Sequence, residues 1–413
     1  MNTSLSIVLS LFELITFAYL AFATLYITVY GFASIFNRKP QTANAVKRRK
    51  FAVMIPGYKE DLVIVDVAKD ALEQDYPSEY YDVIVIADSF KPETLRELQK
   101  LPIRVEVVVF EVSKKSKALN KCMAAIGDDY DVAMILDADN LMEHDVLQKI
   151  NHAFDLGYLA VQGHRTAKNT NTSFAILDAI SEEINNKIFR KGHRILGLSS
   201  ALIGSGMGID YKLYKAMMAE IDSVGEDKEL EMRLLQNNYT IEYVEDAHIY
   251  DEKTSQSKVF VNQRRRWIAA QLLHFKAYFF PGLTDLFKQG NFDFFDKVLQ
   301  MIQPPRILLS GTLFLLTLSS GLVFFFQLNA VSQYFSLGFY YWLSLLLITI
   351  FTLMISVPRK FYNLKTFKAL LSLPLGFVLM ILSFLKIKGA GSKFIHTTHS
   401  HTENIKKNRQ KKK

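Results

Sequence analysis

Val132-Ala133-Met134-Ile135-Leu136-Asp137-Ala138-Asp139 is an apolar run that ends on two carboxylates one residue apart. Five consecutive apolar residues closed by charge fit a strand buried on both faces, as in the interior of a parallel sheet. Three similar runs precede it: residues 51–55 before Pro56-Gly57, residues 81–87 before Asp88, and residues 105–110. Helix-like stretches near 62–72, 92–99 and 117–126 separate them. Strands rich in β-branched residues alternating with helices predict an α/β, doubly wound parallel sheet. In such sheets ligands bind beyond the carboxyl ends of the strands, where Asp88, Asp137 and Asp139 fall.

Around this middle the composition shifts. Of 413 residues half are hydrophobic, with 31 Phe, while charged residues stay at 22%. That mixture predicts a globular middle with apolar ends. Much of the net charge of +8 lies in residues 38–50 and 386–413, beside apolar segments. Anionic lipid headgroups are therefore the expected partner, and nucleic acid is not. The one cysteine, Cys122, excludes an intramolecular disulfide and a cysteine-based zinc site, and fits a reducing cytoplasm.

Residues 5–36 are nearly all apolar, broken by Glu13, and long enough to cross a bilayer. No basic stretch precedes them, as one would in a signal peptide, whereas Arg38, Lys39, Lys47, Arg48, Arg49 and Lys50 follow. The positive-inside rule then places the middle domain in the cytoplasm of a multi-pass cell-membrane protein. Further apolar stretches occupy 307–328, 339–357 and 370–385. The loop 329–338 carries no charge and reads as external; Arg359, Lys360, Lys365 and Lys368 mark an internal one. Counting would send the tail outside, although it is the most basic part of the chain. The last stretch is the shortest and contains Pro374, so we expect an interfacial or re-entrant segment that returns the tail to the cytoplasm. Residues 268–303 read as amphipathic helix on the membrane surface, with ordinary core helices as the competing reading. The expected organisation is 1–36 as a membrane helix, 37–267 as the catalytic domain and 268–303 as interface helices. Membrane or re-entrant segments follow at 304–388, and a basic tail at 389–413.

Each candidate for chemistry has two readings. Asp137 and Asp139 at a strand end can hold a divalent cation that in turn binds a diphosphate, or form a solvated turn. Lys117 opens a helix, where a lysine and free amides suit a phosphate, or belongs to a solvated cluster. Asp227 can take a proton from an attacking hydroxyl, or favour a helix start through the dipole. Gln263-Arg264-Arg265-Arg266-Trp267 can neutralise a diphosphate and stack on a sugar, or anchor the chain at the bilayer. Gly204-Ser205-Gly206-Met207-Gly208 allows close approach of a ligand, or simply turns the chain. The histidines of 396–401 read as incidental.

Together these motifs resemble the family 2 glycosyltransferases, in the membrane-embedded branch that makes cellulose, chitin, hyaluronan and poly-N-acetylglucosamine. The resemblance covers about residues 51–267. Pro56, Tyr58 and Glu60 match the opening nucleotide-contacting loop, Asp88 the first aspartate on the nucleotide, and Lys117 the lysine near the phosphates. Asp139 matches the metal-holding aspartate, with Asp137 beside it, and Asp227 the base of a Thr-Glu-Asp motif, here Gly-Glu-Asp. Gln263, Arg266 and Trp267 match Gln-X-X-Arg-Trp, and residues 394–399 match loosely a cytoplasmic aromatic-X-X-Thr segment.

The resemblance implies a GT-A (Rossmann-like) cytoplasmic domain flanked by transmembrane helices. It also implies inverting transfer from a UDP-sugar with Mg2+ or Mn2+ as cofactor. Asp227 would be the base and Asp139 the metal ligand, with Lys117 and Arg266 on the diphosphate and Trp267 under the acceptor. The first expectation is a processive synthase of a β-linked polysaccharide, acting on a glycan acceptor with an export partner or as a homo-oligomer. The membrane part is small for that task, so single transfer to a lipid-linked acceptor is the alternative. A non-catalytic subunit of an export complex is third.

Overall fold

The computed structural model describes residues 3–38, 46–223, 225–253, 257–328 and 336–386. The basic tail and the segment 394–399 lie outside the described residues.

An eight-stranded sheet carries the middle of the chain, in the order β3-β2-β1-β4-β7-β6-β8-β5. β1 (Phe51–Tyr58), β2 (Tyr81–Asp88), β3 (Arg104–Val108) and β4 (Val132–Ile135) form the parallel half expected from their apolar runs. α2 (Ile64–Ala71), α3 (Pro92–Leu98) and α4 (Lys115–Ile126) connect them. Beyond β4 the sheet is no longer parallel. β5 (Leu141–Met142), β6 (Ala160–Ala167), β7 (Met207–Asp210) and β8 (Ile241–Asp251) complete it, and β7 runs antiparallel to both β4 and β6. The all-parallel expectation fails here because β6 and β8 mix His, Arg, Gln and Glu with apolar residues and β5 and β7 are short, which hides all four as buried runs. Pro56 and Gly57, expected to end β1, lie within it, paired with Ile86 and Ala87.

α5 (Val146–Asp155) precedes β6. α6 (Ser173–Asn185) runs on through a π-helical turn, Asn186–Gly192, into α7 (His193–Ile195). α8 (Tyr211–Met218) and α9 (Glu226–Gln236) follow β7. α10 (Ser257–Gln289) is one helix with Pro281 inside it, and α11 (Phe292–Met301) packs back on it. The boundary expected after Trp267 thus falls within a continuous helix, because neither Gly nor Pro interrupts residues 257–280.

Among the described residues three helices are long and apolar enough to cross a membrane: residues 7–33 of α1 (Thr3–Ala33), α12 (Arg306–Phe325) and α13 (Phe339–Ser356). α14 (Leu364–Leu370) and α15 (Leu373–Leu385) make a bent apolar pair at 47°, with Pro374 in the first turn of the second. The chain therefore has the helices of a multi-pass membrane protein. α1 packs on α13 and on the π-helical turn. Its Thr24 and Thr28 hydroxyls bond Thr349 and Thr352 at 3.0 and 2.9 Å, which satisfies polar groups that lipid could not.

A candidate active site at the strand ends

A cavity of ≈ 2310 Å³ opens at the carboxyl ends of the strands and runs on between the apolar helices. Every residue expected at the site except Lys117 lines it: Pro56, Tyr58, Glu60, Asp88, Asp137, Asp139, Asp227, Gln263, Arg266 and Trp267. Asp88 ends β2 and is buried, accepting a bond from Ser89 Oγ at 2.9 Å.

Asp137 and Asp139 follow β4 directly, so the strand fixes their backbone. Ser205 Oγ accepts from the Asp137 amide (2.9 Å) and donates to Asn140 Oδ1 (2.7 Å). Asn140 Nδ2 in turn donates to Asp139 Oδ1 (3.0 Å) and Asp251 Oδ1 (3.1 Å), and the Glu252 amide donates to Asp139 Oδ2 (3.2 Å). These bonds set the orientation of Asp139. Among the described residues no group of three or more His, Cys, Asp or Glu side chains is gathered as a self-contained metal cage. The pair fits instead a Mg2+- or Mn2+-like ion that takes its remaining ligands from a diphosphate and water.

Lys117 is exposed and does not line the cavity; Lys115 takes that place. The reason is helical phase. Ala118, Leu119, Cys122, Met123 and Ile126 form the buried face of α4, and position 115 lies in register with them while 117 does not. Lys115 Nζ donates to Asp137 Oδ1 (2.5 Å) and to the Gly204 carbonyl (2.6 Å), and lies 4.0 Å from Glu226. Burial works against its charge, but Asp137 and Glu226 outweigh that and hold the ammonium above its ordinary value. Burial pushes the Glu226 carboxyl up; Lys115 opposes this and Asp227 adds to it.

Asp227 lies in the first turn of α9, whose preceding residue, Gly225, has φ 87°. Gly204, at φ 74°, presents its Cα to the Asp227 carboxylate so closely that a Cβ there would lie 3.3 Å from Oδ2. The glycine-rich loop therefore brings the carbonyl that holds Lys115 against the candidate base. Within α10, Arg264 stacks on the Trp267 ring at 4.4 Å and pairs with Asp178 at 2.5 Å.

Several cavity residues escaped the sequence reading. Arg165 on β6 donates to Glu182 (2.9 Å) and lies 3.9 Å from Asp251. Lys253 bonds Asp251 (2.7 Å), and Arg190 sits 3.2 Å from Glu182. Burial opposes the charge of Glu182, yet Arg165, Lys253 and Arg190 hold its carboxyl well below the usual range. Asp178, Ser181, Glu182 and Asn185 recur at helical spacing on α6 and all line the cavity. That polar stripe was the signal available in the sequence.

"Probable glycosyltransferase YdaM" of Bacillus subtilis (strain 168) is 26% identical over 252 residues, 56% of this chain and 58% of that protein. "Beta-monoglucosyldiacylglycerol synthase" of Nostoc sp. (strain PCC 7120) is 23% identical over 224 residues, 52% of this chain and 47% of that protein. The chain thus spans about half the length of the curated relatives it matches. Among solved structures, the mannosyltransferase PcManGT from Pyrobaculum calidifontis, in complex with GDP-Man and Mn2+, shares the fold. Its TM-score is 0.55 at 14% identity, covering 84% of this chain and 97% of that one. The profile of "Glycosyltransferase like family 2" matches residues 48–270, more than half of the 413 residues. The chain belongs to that family: it is a glycosyltransferase with a GT-A-type domain between apolar, membrane-length helices.

Proposed function

We infer that this enzyme moves one sugar from a nucleoside-diphosphate donor, UDP first among those to test, onto a hydroxyl of a membrane lipid, with inversion. The observation that carries this reading is the continuity of the cavity. It runs from Tyr58, Glu60 and Asp88 past Asp227 to Phe314, Leu315, Leu346, Ile350, Phe377 and Met380 on α12, α13 and α15. An acyl chain matches those apolar walls. A growing polysaccharide would find few partners for its hydroxyls along those walls, which argues against the processive reading expected first from Gln263, Arg266 and Trp267. The Nostoc relative, named for a monoglucosyl lipid, supports the same direction.

In the proposed step the acceptor oxygen attacks the anomeric carbon from the face opposite the diphosphate. The bond from that carbon to the β-phosphate oxygen breaks, and the nucleoside diphosphate leaves with the electron pair. Asp227 takes the hydroxyl proton. Lys115 and Arg266 would offset charge on the departing diphosphate. A Mg2+ or Mn2+ ion held by Asp139 and Asp137 would supply Lewis acidity to the same oxygens. The relative solved with Mn2+ is consistent with that choice of ion.

The catalytic domain is assigned to the cytoplasmic face. Arg38, next to α1, pairs with Glu242 at 2.7 Å, and Lys360, between α13 and α14, pairs with Glu183 at 2.7 Å. Both basic loops thus contact the catalytic domain, and basic loops face the cytoplasm.

The test uses the full chain in phosphatidylcholine vesicles with labelled UDP-sugars, Mn2+ and diacylglycerol or phospholipid acceptors. A labelled lipid bearing one sugar is the expected product, and Asp227→Asn should abolish it while UDP still binds. A long water-soluble polymer would overturn the lipid reading. Unimpaired transfer by D227N would remove Asp227 from its role.

A further inference from the structure

Arg306 is the first residue of α12, set where the polar half of the cavity meets the membrane half. Arginines at helix ends ordinarily extend to the water interface. This one turns inward onto the polar stripe of α6. Its guanidinium donates to Asn185 Oδ1 (2.6 Å), the Ser181 carbonyl (3.0 Å) and Ser181 Oγ (2.8 Å). All of these acceptors are neutral. Among the described residues no carboxylate lies within ion-pair distance of it, and of the three charges acting on it Glu182 attracts while Arg264 and Arg190 repel.

The shortage extends beyond one side chain. Arg165, Arg190, Lys253, Arg264 and Arg306 line this stretch of the cavity, against Asp178, Glu182, Asp251 and Glu252. Asp178 is engaged by Arg264, and Glu182 is shared among Arg165, Arg190 and Lys253. A cationic excess facing a cavity is costly unless an anion completes it. From Arg306 the wall turns apolar along α12 through Ile307, Gly311, Phe314 and Leu315, with Ser310 between them bonded to the Arg306 carbonyl. An anion beside Arg306 therefore sits at headgroup depth, with acyl chains continuing along α12.

Resting on the lipid-acceptor reading, we propose that Arg306, backed by Arg264, binds a phosphate in the acceptor's own headgroup, so that the preferred acceptor is a hydroxyl-bearing phospholipid rather than a neutral diglyceride. The phosphate would be held by a planar fork of donors suited to two of its oxygens. That grip fixes how far the headgroup hydroxyl reaches toward the anomeric carbon.

The experiment compares transfer by the full chain in phosphatidylcholine vesicles doped with phosphatidylglycerol or with diacylglycerol, and to glycerol 3-phosphate in solution. We expect kcat/KM for phosphatidylglycerol to exceed that for diacylglycerol by about 10-fold or more. Arg306→Gln should erase most of that margin by raising KM for phosphatidylglycerol, and Arg306→Lys should restore part of it. The wild-type comparison needs no variant and so stands even where R306Q fails to fold. Equal or faster use of diacylglycerol overturns the phosphate site and leaves the lipid reading intact. Glycerol 3-phosphate used as well as phosphatidylglycerol overturns it in favour of a soluble phosphate ester. An R306Q effect confined to KM for the UDP-sugar overturns it in favour of the donor diphosphate. No transfer to any lipid removes the reading on which it rests.

Discussion

Lys115 and Lys117 share a side-chain type, a helix and a stretch of sequence, and differ only in phase. The buried positions of α4 decide between them: Lys115 falls on the inner face and reaches Asp137, while Lys117 stands in solvent. Lys115→Ala should lower kcat/KM by at least about 10-fold, since it removes a charge-assisted contact. Lys117→Ala should stay within about 2-fold of wild type, as exposed substitutions usually do. Initial rates at saturating acceptor and varied UDP-sugar separate the two, and a larger effect at 117 would return the assignment to that residue. Asp88, Asp137 and Asp139 were legible in the sequence because they lie at the ends of apolar strands, and Asp227 because it opens a helix. Lys115 was legible only once the helix was phased. Arg165 and Asp251 were not: their meaning comes from ion pairs, Arg165 to Glu182 across 17 residues and to Asp251 across 86, and no local pattern records a pairing that the fold creates.

Helices carry the connections between sheet and membrane. α1 docks on the π-helical turn at Gly192, where a Cβ would collide with the Tyr30 carbonyl. Next to it the Tyr30 ring stacks on His193 at 3.6 Å, and the Tyr30 hydroxyl donates to Asp296 at 2.6 Å. Gly192→Ala should therefore cost about 1–3 kcal/mol through overpacking against backbone that cannot rotate away. Gly338→Ala, with open space around it, should stay within about 0.5 kcal/mol. Thermal unfolding of the full chain in one detergent compares them; equal midpoints would mean that α1 is held elsewhere. α10 shows the limit of element prediction. Its apolar and basic residues suggested an amphipathic surface helix after Trp267, whereas one helix begins before Gln263 and carries the motif onward to contact α15. β6 and β8 were illegible because polar residues interrupt their apolar pattern, of which Arg165 and Asp251 reach the cavity, and β5 and β7 because they are short.

The molecule as a whole is a sheet whose ligand-binding edge is pressed against its own membrane helices. The proposed cytoplasmic orientation rests on the two basic loops that pair with Glu242 and Glu183. Protease added to sealed inverted membrane vesicles should cut the catalytic domain and spare it in right-side-out spheroplasts. The reverse pattern would place the domain outside and remove any cytoplasmic donor supply. The bonds of Thr24 and Thr28 to Thr349 and Thr352 span 325 and 324 residues of sequence. During synthesis α1 is therefore made long before α13, its partner in these bonds. Its apolar length lets the bilayer hold it alone until α13 arrives, so assembly of this enzyme is ordered by the ribosome and finished by lateral encounter of two helices already in lipid.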